Sequence, residues 1–198
     1  MILNDYSLEI VKGEKVILLG KSGIGKSSLF ALILGFARPH SGRLLFEGNV
    51  IDEQSIWSVR QKVAFVDQDV SIGNYKVSDW FKFVSEIKSN QSLDFSEEKI
   101  AELMEFFELN RELIHKDISD LSGGERQRVA IIVSVLLKRN VFLLDEVTSA
   151  LDKNLKKKTA DFFIQRKDWT VLSISHDAVW LDNPHVKVFD LEKKTWKQ

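Results

Sequence analysis

Val16-Ile17-Leu18-Leu19-Gly20-Lys21-Ser22-Gly23-Ile24-Gly25-Lys26-Ser27-Ser28 decides how the rest of the chain is read. A short β-type apolar run leads into Gly20 to Ser27, which matches the Walker A pattern G-x-x-x-x-G-K-[ST] at every specified position. Gly20, Gly23 and Gly25 let the backbone turn tightly and approach an anion, so that successive N–H groups point at phosphate oxygens. Lys26 is placed to reach β- and γ-phosphates and Ser27 to ligate Mg²⁺, with Lys21, Ser22, Ile24 and Ser28 completing the cradle. A glycine-rich turn without chemistry is the alternative. The strand before the motif and the helical Ser28-Leu29-Phe30-Ala31-Leu32-Ile33-Leu34 after it argue against that.

The same punctuation recurs. Val63-Ala64-Phe65-Val66, Val141-Phe142-Leu143-Leu144 and Val171-Leu172-Ser173-Ile174 read as buried strands, each followed by a polar or glycine-rich switch. Short apolar runs alternating with longer helical patterns predict an α/β fold with a mostly parallel core sheet. Ligands of such sheets sit at the carboxyl ends of the strands, so the switches are where chemistry belongs. Ser41 to Gly48, a short strand bounded by glycines, suits an antiparallel flank.

Between Val77 and about Lys116 helical periodicity takes over: Val77, Trp80, Phe81, Val84 and Ile87 recur at helix spacing, as do Ile100, Leu103, Met104 and Phe107. Asp94 and Glu97 are spaced as a capping box for the second of these helices. The chain is therefore expected to be one domain over 1–198, with a helical subdomain at 77–120 inserted between two halves of the sheet.

Composition removes several classes of function. The 28 basic and 29 acidic residues nearly cancel, so no global field favours wrapping a nucleic acid. There is no cysteine, hence no disulfide framework and no thiolate metal site. The longest apolar stretch, Val129 to Leu137 interrupted by Ser134, is about half of the roughly 20 residues a spanning helix needs. No secretory signal opens the chain, and a cytoplasmic location is expected.

Asp145-Glu146 brings two carboxylates to a strand end. Strand alternation would turn Asp145 toward a metal shell and Glu146 toward the γ-phosphate, to orient or deprotonate an attacking water. An acidic strand end that caps a neighbouring helix is the plainer reading. Leu121-Ser122-Gly123-Gly124-Glu125-Arg126-Gln127-Arg128 then sets two glycines and a hydroxyl before a strongly apolar helix, a second place for an anion. Glu125 also stands where a capping box on Ser122 requires it, and the local sequence leaves both readings open.

Taken together, these motifs resemble those of ATP-binding cassette ATPases, the motor subunits of ABC transporters, over nearly the whole chain. The resemblance implies ATP and Mg²⁺ as ligands, with Ser27, Gln68 and Asp145 around the metal. It implies that Glu146, Gln68, Lys26 and the switch histidine His176 serve hydrolysis; a lone histidine is usually structural or merely exposed, and His40, His115 and His185 are expected to be so. It further implies that Ser122, Gly123 and Gly124 close on the ATP of a second subunit, that Ser149-Ala150-Leu151-Asp152 crosses that interface, and that a separate integral-membrane subunit docks near Gln68 and the helical insertion. Trp80, Phe81 and Phe83 are candidates for that docking, although packing suits them better. On this reading the chain is peripheral on the inner face of the membrane. A soluble cassette acting on DNA or ribosomes, or a P-loop small-molecule kinase, are the rival functions. The family's adenine-stacking aromatic has no counterpart before Gly20: Tyr6, with Ser7-Leu8-Glu9-Ile10, falls in the next strand, so loose adenine binding and poor base selectivity are expected.

Overall fold

The computed structural model describes residues 7–70, 73 and 75–197; Tyr6 lies outside the described residues. In chain order, β1 (Lys15–Leu19) is followed by α1 (Lys26–Ile33), β2 (Leu45–Phe46), β3 (Asn49–Val50), α2 (Ile56–Lys62) and β4 (Val63–Val66). Next come α3 (Val77–Glu86), α4 (Glu97–Phe106), α5 (Gly123–Leu136), β5 (Val141–Asp145) and α6 (Lys153–Ile164). The chain closes with β6 (Thr170–Ile174), α7 (Ala178–Leu181), β7 (Lys187–Asp190) and β8 (Thr195–Lys197).

The main sheet runs β4-β5-β6-β1-β7-β8. Its first five strands pair in parallel and β8 closes it antiparallel to β7. Every expected buried strand is present. β7 is additional: only Val188 and Phe189 of it are buried, too short an apolar run to mark a strand in the sequence. Ser7 to Ile10, expected as strand, forms none, although Leu8 and Ile10 still turn inward against the sheet.

A parallel sheet must be covered on both faces, and strand alternation does this here. Val16 and Leu18 of β1 pack with Phe30 and Leu34 at α1 and Val59 of α2. Ile17, Phe142, Leu144 and Val171 point the other way, into a layer with Ile132 of α5, Phe163 of α6 and Trp180 of α7. Each fully buried side chain of this size contributes about 1.5–3 kcal/mol. The two layers thereby fix the strand ends.

The expected antiparallel flank is the β2–β3 hairpin, a sheet of its own. Its two-residue turn places Glu47 and Gly48 at φ 50° and 80°, the left-handed pair that matches strand twist. Between β4 and α5 lie α3 and α4, whose inward faces carry Val77, Phe81 and Val84, and Ile100, Leu103 and Met104. Trp80 packs on the core and Phe81 is buried, whereas Phe83 is 60% exposed. The capping of α4 differs from the expected Asp94–Glu97 box. Ser96 is the cap, its hydroxyl accepting the Lys99 N–H at 3.3 Å. Asp94 instead accepts the Ser96 N–H at 3.0 Å, an Asx turn that leaves its carboxylate outside the helix.

Candidate functional site

The carboxyl ends of β1, β4, β5 and β6 converge on one edge. Val66 lies opposite Leu144, Asp145 opposite Ile174, and Leu18 opposite Ile174. The segments leaving these four strands carry Gly20, Gln68, Glu146 and His176 respectively.

After β1 the chain loops through Gly23 at φ 80° and Gly25 at φ 110°, conformations that L side chains rarely adopt. Gly25 is also the N-cap of α1 and brings no side chain to its first N–H groups. The helix start is left to an external acceptor, and its partial positive charge favours an anion. Lys26 is only 8% exposed; its ammonium donates to the carbonyls of Gly20 at 2.6 Å and Lys21 at 3.1 Å. Lys21 and Ser22 are exposed, and Ile24 and Ser28 half-buried. Glu192, beyond β7, accepts the Lys21 N–H at 2.9 Å and anchors the loop from outside.

Ser27 Oγ donates to Asp145 Oδ2 at 2.8 Å, joining the loop to the end of β5. Burial pushes the Asp145 carboxyl above its ordinary range; the Ser27 bond opposes this, the charges of Asp67 and Glu146 add to it, and Lys26 opposes it. Glu146 diverges from Asp145 for a reason other than the expected strand alternation. Its backbone leaves the strand at φ 46°, while its N–H still donates to Ile174 O at 2.9 Å. The left-handed turn swings the carboxylate sideways, into a cavity of about 120 Å³ lined also by Ser149, Lys156, Ser175, His176 and Asp177. Glu146 and His176 therefore line one small, half-open cavity. His176 is exposed at its mouth, as His40, His115 and His185 are exposed elsewhere.

Gln68 is exposed in the turn after β4. The carbonyl of its neighbour Asp67 accepts the Gln127 amide at 3.1 Å, and Gln127 is 4% exposed on α5. This link ties the turn to the helix of the second glycine motif. The sequence marked Gln68 but not Gln127, because a glutamine on a helix carries no signal until its burial is known.

At the start of α5 the capping box is formed. Ser122 Oγ accepts the Glu125 N–H at 3.3 Å, and the Ser122 N–H and hydroxyl donate to Glu125 Oε2 at 2.8 and 2.7 Å. These bonds hold the Glu125 carboxyl below its usual range. None of them reaches the loop around Lys26. The two glycines differ: a Cβ on Gly124 would stand 2.8 Å from the Ala150 carbonyl, whereas one on Gly123 would meet nothing within 4 Å. Asp152 caps α6, accepting the N–H groups of Asn154 and Leu155 at 3.0 and 3.1 Å, while Ser149 and Ala150 are exposed.

A family model described as "ABC transporter" matches residues 3–149. The probable iron export ATP-binding protein FetA of Escherichia coli (strain K12) is 33% identical over 184 residues, covering 89% of this chain and 78% of that protein. The energy-coupling factor transporter ATP-binding protein EcfA1 of Mycoplasmopsis synoviae (strain 53) is 35% identical over 181 residues, covering 88% and 67%. The chain belongs to the ABC transporter family. It is an ATP-binding, ATP-hydrolysing subunit of that family, and its fold is that of the cassette. A dimeric, post-hydrolysis ATP-binding cassette bound to ADP and Pi superposes with TM-score 0.83 at 23% identity, covering 100% of this chain and 89% of that one. CbiO1 from Clostridium perfringens, part of the ABC transporter complex cbiONQ, superposes with TM-score 0.75 at 26% identity, covering 100% and 80%.

Proposed function

We propose that the chain hydrolyses ATP with Glu146 as the group that orients and deprotonates the attacking water and His176 as the donor that holds the γ-phosphate. What carries this reading is their shared cavity, next to the Ser27–Asp145 pair and at the end of the same strands as the phosphate loop. The uncapped start of α1 and the loop N–H groups receive the phosphates, and Lys26 exchanges loop carbonyls for β- and γ-oxygens. The donor set fits Mg²⁺. Ser27 and Asp145 offer one hydroxyl and one carboxylate, the hard oxygens such an ion takes when phosphates and water supply the rest, and Gln68 directly follows Asp67, whose charge acts on Asp145. When bound, the ion would neutralise phosphate charge during transfer. Among the described residues no cluster of three or more His, Cys, Asp or Glu could hold a metal alone.

The second glycine motif serves another chain's nucleotide. Gly123 has open space around it that the chain's own packing does not use, and Ser122 can turn its hydroxyl from Glu125 to a γ-phosphate. Two protomers thus enclose two ATP molecules, with Ser149 to Asp152 along the seam. Among the described residues no helix is long and apolar enough to cross a membrane. A separate integral-membrane subunit provides the path, docking near Gln68 and the helical unit at 77–120 and holding the chain at the cytoplasmic face. Glu146→Gln tests the assignment: hydrolysis is expected to stop while ATP still binds and an ATP-dependent dimer accumulates. Normal turnover in that variant removes Glu146 as the base.

A further inference from the structure

We propose that Lys156 is a positioning residue for hydrolysis, acting through Asp177 to fix His176 relative to Glu146; the proposal rests on the reading of those two groups given above. Lys156 is one of four lysines on α6, and nothing in the sequence separates it from Lys153, Lys157 and Lys158. The structure does. Its ammonium donates to Asp177 Oδ1 at 2.6 Å, and both side chains are 23% exposed.

Asp177 is gripped from two further sides. Thr148 Oγ1 donates to Asp177 Oδ2 at 2.6 Å, and Ser175 Oγ accepts the Asp177 N–H at 3.1 Å. Trp180 Nε1, buried, donates to Thr148 Oγ1 at 3.3 Å and sets which way that hydroxyl points. Burial raises the Asp177 carboxyl, but the bonds from Lys156 and Thr148 outweigh it and hold the group in its charged form.

These contacts join the three segments that wall the cavity. Thr148 is two residues past Glu146 on the turn after β5, Asp177 directly follows His176, and Lys156 lines the cavity from α6. One carboxylate therefore ties the backbone that carries Glu146 to the backbone that carries His176. Without the ammonium, Oδ1 of a partly buried carboxylate is left unpaired. The side chain then rotates toward water, the Thr148 bond loosens, and the segments that carry His176 and Glu146 are no longer tied together. Misplacements of this kind reduce chemistry more than binding.

The test is ATPase kinetics of the full chain with Lys156→Met, Lys156→Arg and Thr148→Val, each also combined with His176→Ala. Lys156→Met is expected to lower kcat about 10- to 100-fold, the range carried by partners that orient a functional group, with KM for ATP changed less than about 2-fold. Lys156→Arg is expected to restore most of the rate. Combined with His176→Ala, Lys156→Met is expected to cost nothing more, because its effect passes through the histidine. Wild-type kcat in Lys156→Met, or a fully additive loss in the double variant, overturns the proposal. Should Lys156→Met fail to fold, Thr148→Val decides by the same criteria. If Glu146→Gln and His176→Ala themselves retain turnover, the reading of the site falls; if they lose it while Lys156→Met does not, only the role of Lys156 falls.

Discussion

The two glycines at the head of α5 are expected to respond to alanine with opposite signs. Gly123 is helical and a Cβ there meets nothing within 4 Å, so Gly123→Ala removes backbone freedom from the unfolded chain at no steric cost. The gain is about 0.5–1 kcal/mol, which for a chain of this size raises Tm by roughly 1–4 °C. Gly124→Ala makes the same gain but drives its Cβ to 2.8 Å from the Ala150 carbonyl, a backbone atom that cannot swing aside. Overpacking of that kind costs about 1–3 kcal/mol, leaving a net loss of up to roughly 2.5 kcal/mol. The nucleotide-free protein, followed by urea and thermal unfolding, checks both signs. Dimerisation checks the purpose. In a Glu146→Gln background, size-exclusion chromatography with ATP should show the more stable Gly123→Ala variant dimerising at least about tenfold more weakly, a difference near 1.4 kcal/mol. If Gly123→Ala dimerises like its parent, the open space at Gly123 is not kept for a partner's nucleotide. If it also destabilises the monomer, the packing assignment at the helix start is wrong.

Three other expectations follow from buried polar groups. The Asp145 carboxyl titrates above its unfolded value, so the stability it gives is present at acid pH and is lost as pH rises through the folded pKa. Asp145→Asn should therefore unfold at a higher temperature than the parent near pH 8 without nucleotide, with the gap closing toward pH 4, while turnover falls; a parent that is the more stable at pH 8 contradicts this. Thr159 is fully buried with no partner for its hydroxyl, so Thr159→Val should add about 1 kcal/mol by urea titration, and a loss would reveal a missed bond. Lys15, 4% exposed, donates to the carbonyls of Gly13, Arg166 and Trp169 and staples the start of β1 to the loop after α6. Lys15→Met leaves those carbonyls without their donor and should cost about 1–3 kcal/mol in the same assay, and a neutral result would refute the staple.

Much of this was legible in the chain because the fold's strongest constraints are local. A strand that must be buried on both faces has to be an apolar run, and a loop that wraps an anion has to carry glycine, so β1, β4, β5, β6 and the loop at Gly20 to Ser27 declare themselves. What stayed hidden is tertiary. β7 has two buried residues, and its place beside β1 is set by pairing, not by its own sequence. Glu146 turns away from Asp145 through a left-handed backbone, which is not a property that glutamate advertises. Asp94 and Ser96 are both good caps, and only the turn geometry chooses between them. Lys156, Thr148 and Gln127 are ordinary residues made important by what lies opposite. Ser122 bonds to Glu125 of its own helix, so the role proposed for it toward another chain's nucleotide has no signature in one protomer's contacts.

The pinned side chain of Lys26 has a thermodynamic consequence. A lysine free in solvent gives up about 1.5–2 kcal/mol of rotamer entropy when a ligand immobilises it. Here the Gly20 and Lys21 carbonyls have already confined it before any nucleotide arrives, and the folding reaction has absorbed that loss. If Lys26 meets the phosphates as proposed, capture of triphosphate is an exchange of acceptors around a stationary cation. The heat of binding should reflect that swap and the phosphate contacts, with little unfavourable entropy from this side chain.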